Sequence, residues 1–371
     1  MSVGPATNNR TPRFTVTVAG QTVTQADPKG LESISVEDHV DMIGVCELSF
    51  TRGSSASGIQ WASLTVGAVV EVVFGGDTRP VFKGKITAIR HGSNRGRHVA
   101  VVQAMDPLIQ LSMSRRTKSF ERMKDSDAAN DAISASGGTP GRVDATTETR
   151  AHIHQRNESN LTFIRRLAAR NGYLVYCNEG KVDFAKLQSS ATALSIPAAE
   201  MISLDYDMSP KSIPPSITVY GWDYVNKQRV EGRATPSDVE LIGGGQSSAE
   251  NRGDIWGQDA FISDVWVDSQ SAAKEHAVAE YNRLARSFMR GSGTMQCNGS
   301  LHVGVKVRFE EHRTGFNPEA FVMSSRHRVY VGGGATTEIT FCSNTREATA
   351  TGGGESGAGV GSALASGTPM P

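Results

Sequence analysis

The residues whose types and spacing suggest chemistry are histidines and acids on strand-like stretches. His152-Ile153-His154 places two imidazoles on one face of a strand, where they could hold a metal ion. Glu310-Glu311 beside His312 is an acidic pair of the kind that glycosidases use. For the histidines we favour a solvated strand on which they are incidental. For the acids we favour a polar turn, because adjacent side chains of a strand point to opposite faces.

No known catalytic motif is present. The sequence has no G-x-S-x-G elbow and no H-E-x-x-H, and Lys83-Gly84-Lys85-Ile86 lacks the upstream glycine and the hydroxyl residue of a phosphate-binding loop. His91 and His327 have no partnered carboxylate, so we predict a structural role for both. We therefore predict a protein that is not an enzyme, with no catalytic residue, no cofactor and no metal ion.

Charge and composition narrow the class of partner. The chain has 371 residues, enough for two to three domains, and its formal net charge is zero. Aromatic residues make up only 6% of it, so Arg115-Arg116 and Arg165-Arg166 are interpreted as solvated or salt-bridged faces, without nucleic-acid specificity.

The sequence also bears on location. Its N-terminus has no signal-peptide core, and no apolar run approaches the ~18 residues of a membrane span. The cysteines form no C-x-x-C pair, which favours reduced thiols in the cytoplasm. They are Cys46, Cys177, Cys297 and Cys342.

The alternation of apolar residues predicts a mainly β protein with an α+β insert. We expect two similar antiparallel, tube-like β-barrel domains with a helix–hairpin domain inserted between them. The predicted boundaries are a flexible N-terminus at 1–12, barrels at 13–114 and 201–345, the insert at 115–200 and a Gly/Ala/Ser-rich tail at 346–371. The second barrel is expected to contain a long helix over 270–290 and a surface loop over 236–258.

The two β regions share an internal repeat. Leu64-x-Val66-Gly67 in the first matches Leu301-x-Val303-Gly304 in the second, and Arg90-His91 matches Arg326-His327. The separation from Leu to His differs by one residue between the copies. Matches in the same order at preserved spacing indicate a duplicated barrel, and a trimer of such chains can present six similar barrels in a ring.

A helix and a hairpin are predicted between His152 and Leu187. Ser159 is placed to cap a helix that runs to about Asn171, and Gly172 is placed to end it in a left-handed conformation. Its apolar face includes Leu161, Phe163 and Leu167.

This stretch carries a family resemblance. Q-x-N-E-S-N-L-x-F-I-x-R-L-A, which includes Asn157 and Glu158, followed by N-G-Y and a hairpin, resembles phage late control D proteins and the N-terminal part of VgrG spikes. The strand ending in Gly221-Trp222-Asp223 is similar to that family's strand before the second barrel, and the strand to His327 is similar to its penultimate strand. The resemblance covers roughly residues 10–345.

The resemblance implies a structural baseplate hub of a contractile phage tail or phage-tail-like injection system. Such a hub is a homotrimer whose pseudo-sixfold ring joins the hexameric tail tube to the trimeric spike, and its outer face binds wedge or sheath-associated proteins. We expect assembly in the cytoplasm and incorporation into the virion tail or the baseplate of an injection particle.

The tail replaces the C-terminal β-helical spike of a full-length VgrG, so we expect the spike on another chain. The residues predicted to contact it are Gly352, Gly353, Gly354 and Val360.

Two alternatives stay open at this point. One is a cargo- or effector-binding module at the tip of an injection system. The other is a cell-wall hydrolase associated with the tail, which is disfavoured because no inserted domain is large enough. The pattern fits a virus, a tailocin and a host-encoded device equally.

Overall fold

The computed structural model describes residues 12–51, 58–75, 79–94, 97–244, 246–248, 257–310 and 318–346. The chain is mainly β with an α+β insert, as the sequence predicts. No helix in this described part is long and apolar enough to cross a membrane.

The first β region contains seven strands, whose alternate side chains are buried. They are β1 (Phe14–Val18), β2 (Gln21–Thr24), β3 (Leu31–His39), β4 (Val45–Thr51), β5 (Val69–Phe74), β6 (Phe82–Asn94) and β7 (Arg97–Met105).

The insert combines three helices with two small sheets. Its elements are α1 (Leu108–Met113), β8 (Arg115–Lys124), α2 (Asp125–Ala135), β9 (Pro140–Val143), β10 (Thr149–Ser159), α3 (Asn160–Asn171), β11 (Leu174–Asn178) and β12 (Lys181–Ala185). Strand β8 pairs with β10, and β12 lies between β9 and β11.

The second β region contains one long helix. Its first elements are β13 (Leu194–Pro197), β14 (Met201–Met208), β15 (Ile217–Asp223), β16 (Gln228–Ala234), β17 (Gln246–Ser247) and β18 (Ala260–Ile262). The remaining ones are α4 (Gln270–Ala285), β19 (Met289–Gln296), β20 (Lys306–Glu310), β21 (Glu319–Tyr330), β22 (Ala335–Ser343) and β23 (Thr345–Arg346).

One 13-stranded sheet, curled into a half-barrel, runs through both β regions. Its main path has the order β14-β19-β22-β21-β3-β4-β7-β6-β5-β1-β2, and β20 and β13 branch from β21. The regions meet where β3 pairs antiparallel with β21. We call this contact the internal joint.

Each part of the chain has its own apolar core. The first region's core includes Phe50 and Phe74, but also Val329 from the second region. Tyr281 of α4 lies in the second region's core, and Phe163 of α3 lies in that of the insert. The shared side chain Val329 shows that packing, as well as strand pairing, joins the two regions.

Two predicted boundaries need correction. The helix predicted over 270–290 ends at Ala285, because Met289–Gln296 forms β19, a strand hydrogen-bonded to β14 on one side and β22 on the other. Phe288 continues the helical apolar spacing but is buried in the turn between helix and strand. Strand β13, assigned to the insert, pairs instead with β20 of the second region.

The surface loop predicted over 236–258 is partly an interior segment. Ile242 and Ser248 are buried, because the Asn344 side chain accepts a hydrogen bond from the Ile242 N–H and the Asn344 carbonyl accepts one from Ser248. Residues 245 and 249–256 of this segment lie outside the described part of the chain.

Candidate assembly surface

The internal joint is an antiparallel pairing of seven residues on each strand. It runs from Ser324 opposite His39 to Tyr330 opposite Ser33. Arg326 lies opposite Glu37, and its Nε donates to Glu37 Oε2 at 2.8 Å. Burial raises the pKa of Glu37, but hydrogen bonds from His39 and Arg326 outweigh it and hold that pKa below its usual value. The joint therefore combines a backbone ladder with an ionised pair.

The strands on the two sides of the internal joint have the same order and orientation. In the first region the order is β3-β4-β7-β6-β5, and in the second it is β14-β19-β22-β21-β20. Every neighbouring pair within these two sets is antiparallel. The chain thus contains the same five-stranded unit twice.

Bulges fix the correspondence residue by residue. The pairing of β6 with β7 shifts register between Ile86 and Ala88, and that of β21 with β22 shifts between Val322 and Ser324. A bulge is a local insertion that bends and twists a strand, so two units of equal shape need it at equal positions.

A second bulge marks the other strand of each unit. The pairing of β3 with β4 shifts between Leu31 and Ser33, and that of β14 with β19 shifts between Met201 and Ser203. Strand β14 is therefore the equivalent of β3, as β6 is the equivalent of β21.

The predicted repeat residues lie in equivalent turns. Gly67 and Gly304 have φ values of 90° and 82°, which L side chains rarely adopt. The Gly67 N–H donates to Ile86 O at 2.8 Å, and the Gly304 N–H donates to Val322 O at 2.9 Å. Leu64 and Leu301, which precede these glycines, are both buried.

The valines between these leucines and glycines differ in burial. Val66 is 68% exposed whereas Val303 is 2% exposed, because Val303 packs in a cluster with Tyr176 of the insert and Phe321. The turns are thus equivalent in backbone conformation but have different neighbours.

The repeated histidines occupy opposite environments. His327 is 1% exposed, lies against Phe74 and makes a 2.9 Å hydrogen bond between its Nδ1 and Thr337 Oγ1. Burial lowers the pKa of His327 to about 4. His91 is exposed on β6 beside Trp61. Position relative to the internal joint explains the difference, since β21 is paired along this stretch on both sides and β6 on one.

Among the described residues, two of the unpaired edges of the sheet correspond to the strands that pair in the internal joint. Strand β14 pairs with β19 and with no strand on its other side. Residues Ala88–Asn94 of β6 pair with β7 alone, because the pairing with β5 is confined to Phe82–Lys85. Ile202, Tyr206 and Met208 of β14 are 57%, 37% and 37% exposed. Each edge is the counterpart of a strand that is paired in the internal joint.

The motif of the insert is a bulge followed by a capped helix. Asn157 has a φ of 47° and lies where the pairing of β10 with β8 shifts register. The Ser159 hydroxyl accepts a hydrogen bond from the Thr162 N–H at 3.1 Å, and Gly172 ends α3 with a φ of 72°. Glu158 accepts a 2.6 Å hydrogen bond from Arg166. Leu161, Phe163 and Leu167 are buried in the core of the insert.

Gly172 also holds the insert against α4. A Cβ at this position would lie 3.3 Å from the Ala279 Cα, so the helices approach closely there. Next to this contact, the buried Asp125 carboxylate accepts hydrogen bonds from Arg150, Arg170 and Asn171. Arg150 also bonds Glu275 of α4. No sequence pattern predicts this network, since its only local signal is an acid at the start of a helix.

The family motif Gly221-Trp222-Asp223 forms the end of β15, whose first three residues are buried. Gly221 contacts Val267, whose carbonyl accepts a hydrogen bond from the Trp222 N–H at 3.1 Å. Trp222 is 45% exposed and lies on a surface with Trp266 and Tyr224, whose rings stack. Hydrogen bonds from the backbone and side chain of Asn226 lower the pKa of Asp223.

A buried carboxylate lies at the base of the insert. Asp106 accepts hydrogen bonds from the Gly44 and Leu108 N–H groups, both at 2.8 Å. Burial raises the pKa of Asp106 to about 7, and both Asp38 and Asp106 lie beside Gly44. The two backbone hydrogen bonds tie the start of α1 to the turn that precedes β4.

The histidines and acids that the sequence suggested for chemistry do not come together in one site within the described part of the chain. His152 and His154 stack with ring centroids 5.9 Å apart, and His154 contacts Ser119. Among the described residues, no three His, Cys, Asp or Glu side chains lie together as a metal site would require. Glu310 accepts a hydrogen bond from the Ser195 hydroxyl.

Some predicted residues are outside the described part of the chain. They are Glu311, His312, Gly352, Gly353, Gly354 and Val360.

Comparison with known proteins gives one family and a set of shared folds. The family described as the Alg8 N-terminal domain matches residues 8–330. No curated protein matches the sequence.

Three solved structures are similar. The tail protein from Neisseria meningitidis MC58 has 13% identity and a TM-score of 0.67 over 90% of this chain and 97% of its own. The 43 kDa tail protein of prophage MuSo2 from Shewanella oneidensis has 14% identity and a TM-score of 0.64, over 89% and 98%. A type VI secretion system component of Escherichia coli has 13% identity and a TM-score of 0.58, over 86% and 76%. At these identities the likeness shows a common fold.

Proposed function

The chain belongs to the family described as the Alg8 N-terminal domain, and from this premise we propose that it is a structural hub of a contractile tail or injection-particle baseplate. The proposal extends the resemblance to late control D proteins and to the N-terminal part of VgrG. In it, three chains form a pseudo-sixfold ring between a hexameric tube and a trimeric spike.

The single observation that carries the proposal is the duplicated five-stranded unit. Two units joined side by side, with matching bulges, make one chain equivalent to two consecutive segments of a ring. A head-to-tail contact that repeats with a fixed rotation generates a closed ring when the rotation divides a full turn. Three such chains supply six units, which is compatible with a sixfold tube on one face and a threefold spike on the other.

The proposed role is geometric and not enzymatic. Two groups with shifted pKa values have structural partners in support of this role, since Asp106 accepts hydrogen bonds from two backbone N–H groups and His327 is hydrogen-bonded to Thr337. The outer face of the ring would bind wedge or sheath-associated proteins. Assembly in the cytoplasm and incorporation into the particle follow from the same proposal.

The test has two parts. Native mass spectrometry of the purified chain is expected to give a trimer. Purification of a tagged chain from intact particles is expected to recover tube, sheath and spike proteins in stoichiometric amounts. A chain that stays monomeric at all concentrations and is recovered alone from particle-containing lysate would overturn the proposal.

A further inference from the structure

We propose that the two unpaired edges that correspond to the strands of the internal joint connect one copy of the chain to the next, in the register of that joint. Strand β14 of one copy pairs antiparallel with residues Ala88–Asn94 of the neighbouring copy. In this register Arg90 lies opposite Asp207. The inference rests on the proposed function for the existence of a ring, and adds the surface, the register and the ion pair.

The bulges determine which residues correspond. Glu37 follows the bulge of β3 at the same distance as Asp207 follows the bulge of β14. Arg326 follows the bulge of β21 at the same distance as Arg90 follows that of β6. The Arg326–Glu37 pair of the internal joint therefore has Arg90 and Asp207 as its counterparts, one on each open edge.

The same correspondence gives the rest of the register. The ladder begins with Ala88 opposite Ser209 and ends with Asn94 opposite Ser203 of the neighbouring copy. Between them, Ile89 faces Met208, and His91 faces Tyr206. These pairs are apolar with apolar and ring with ring, as expected for cross-strand neighbours that stabilise a sheet.

Burial within the chain supports this assignment. Ile34 and Val36 of β3 are each 1% exposed, whereas their counterparts on β14 are Leu204, which is half-buried, and Tyr206, which is 37% exposed. His327 is buried in the joint whereas its counterpart His91 is exposed. A second copy would cover these side chains as the internal joint covers their equivalents.

Charge supports it as well. Arg90 and Asp207 are both exposed, and neither makes an ion pair with another residue in the described part of the chain. Asp205 adds a second acid to the β14 edge. The two edges thus carry opposite charges at one pair of facing positions, Arg90 and Asp207.

One difference limits the length of the proposed ladder. In the internal joint the Val40 N–H donates to Met323 O at 2.9 Å. Pro210 stands at the position equivalent to Val40 and has no N–H to donate. The ladder between copies therefore ends at Ser209.

The occupant of each edge is a second copy because the complement of each edge already exists in the chain. An unpaired, partly apolar strand edge otherwise favours uncontrolled association. A ring of head-to-tail copies removes both edges at once, since each copy contributes one of each kind.

Charge reversal tests the ion pair. The variants Arg90→Asp and Asp207→Arg each place like charges opposite each other, and the concentration needed for half-assembly is expected to rise about tenfold or more. The double variant restores the opposite charges and is expected to recover assembly. Asp127→Arg makes the same charge change on an exposed residue of α2 and should leave assembly unchanged.

Cysteine cross-linking tests the register independently of charge. The backbone hydrogen bonds at the two ends of the joint show which alternate residues of β3 are bonded to β21, and Glu37 is not one of them. Glu37 and Arg326 therefore form a non-hydrogen-bonded pair, the kind of cross-strand pair whose side chains are closest. Arg90→Cys combined with Asp207→Cys is expected to give a disulfide between copies on oxidation. The control, Arg90→Cys with Asp205→Cys, should cross-link far less.

The outcomes separate the two proposals. A trimer that ignores both charge reversals and forms no link between positions 90 and 207 overturns the register but leaves the hub proposal standing. Preferential linking of the control pair overturns it too, since the strands would then be shifted. A chain that never assembles overturns both.

Discussion

Arg326 and Glu37 lie 289 residues apart in the sequence, yet the Arg326 Nε donates to Glu37 Oε2 at 2.8 Å across the internal joint. Their side chains are 37% and 32% exposed, so solvent screens much of their attraction. The pair nevertheless lies in the ladder of β3 and β21, which connects the two five-stranded units. The contribution of this ion pair to stability can be measured separately, because each partner lies on a different five-stranded unit.

A double-mutant cycle of Arg326→Ala and Glu37→Ala should give a coupling free energy of about 1 kcal/mol in urea unfolding. The coupling should disappear as the pH falls through the lowered pKa of Glu37, because the stabilising carboxylate is then protonated. Arg229 and Glu231, which are 58% and 60% exposed, form a control pair whose coupling should be near zero. Equal coupling in both pairs would contradict a special role for the joint.

Protonation of His327 should destabilise the fold in acid. Its folded pKa is about 4 against an ordinary 6.5, so the unfolded chain binds the proton more tightly and stability is lost as the pH falls below about 6.5. The loss between pH 7 and pH 4 is about 3 kcal/mol. In urea unfolding at both pH values, His327→Gln should lose less stability than the natural chain by this amount. His98→Gln, at an exposed position, should follow the natural chain. An unchanged loss in His327→Gln would show that another group titrates.

The contact of β16 with α4 should tolerate no side chain at Gly232. A Cβ there would collide with the backbone of Ala273 and Lys274. Gly232→Ala is expected to lower the free energy of unfolding by about 2 kcal/mol. Gly244→Ala, where a Cβ has no neighbour within 4 Å, should be neutral. Equal stability of both variants would mean that helix and sheet separate without cost.

The cap of α3 should depend on an acceptor at position 159. Ser159→Ala removes the bond from the Thr162 N–H and should cost about 1 kcal/mol in thermal or urea unfolding. Ser159→Asp keeps an acceptor and should retain most of the stability. If both variants lose the same amount, a contact other than the cap is responsible.

The tail should matter for the spike and not for the ring. Deletion of residues 347–371 is expected to leave trimer formation intact, because the strands of the described part of the chain, which extends to Arg346, are all retained. Particles assembled with this variant should lack the spike when analysed by mass spectrometry. A Gly/Ser segment of the same length is the control for spacing. Normal spike content in the deleted particles would remove the docking hypothesis.

The sequence predicts well what local signals determine. Ser159 and Gly172 bound α3 as predicted, because a hydroxyl at the N-cap and a glycine at the C-terminus act within one turn. Gly67 and Gly304 mark equivalent turns, because a positive φ demands the same residue type in both copies.

The features that the sequence does not predict depend on pairing between strands that are distant in the chain. Strand β19 contains Gly291 and Gly293 and has weak intrinsic strand propensity, but it is paired with a strand on each side. At Gly291 a side chain would collide with Phe341 and Asp205, so packing with two neighbouring strands requires glycine there. Pairing of β3 with β21 was also not predicted, since no local pattern relates strands so distant.

The internal joint also has a consequence for synthesis. The outer edge of β3 emerges from the ribosome early, whereas its partner β21 is among the last segments to be translated. Throughout elongation the nascent first region therefore exposes a strand edge with nothing of its own chain to cover it, which is a hazard in crowded translation complexes. Chains released before Glu319 is translated should consequently be prone to aggregation and should need a chaperone more than the complete chain does.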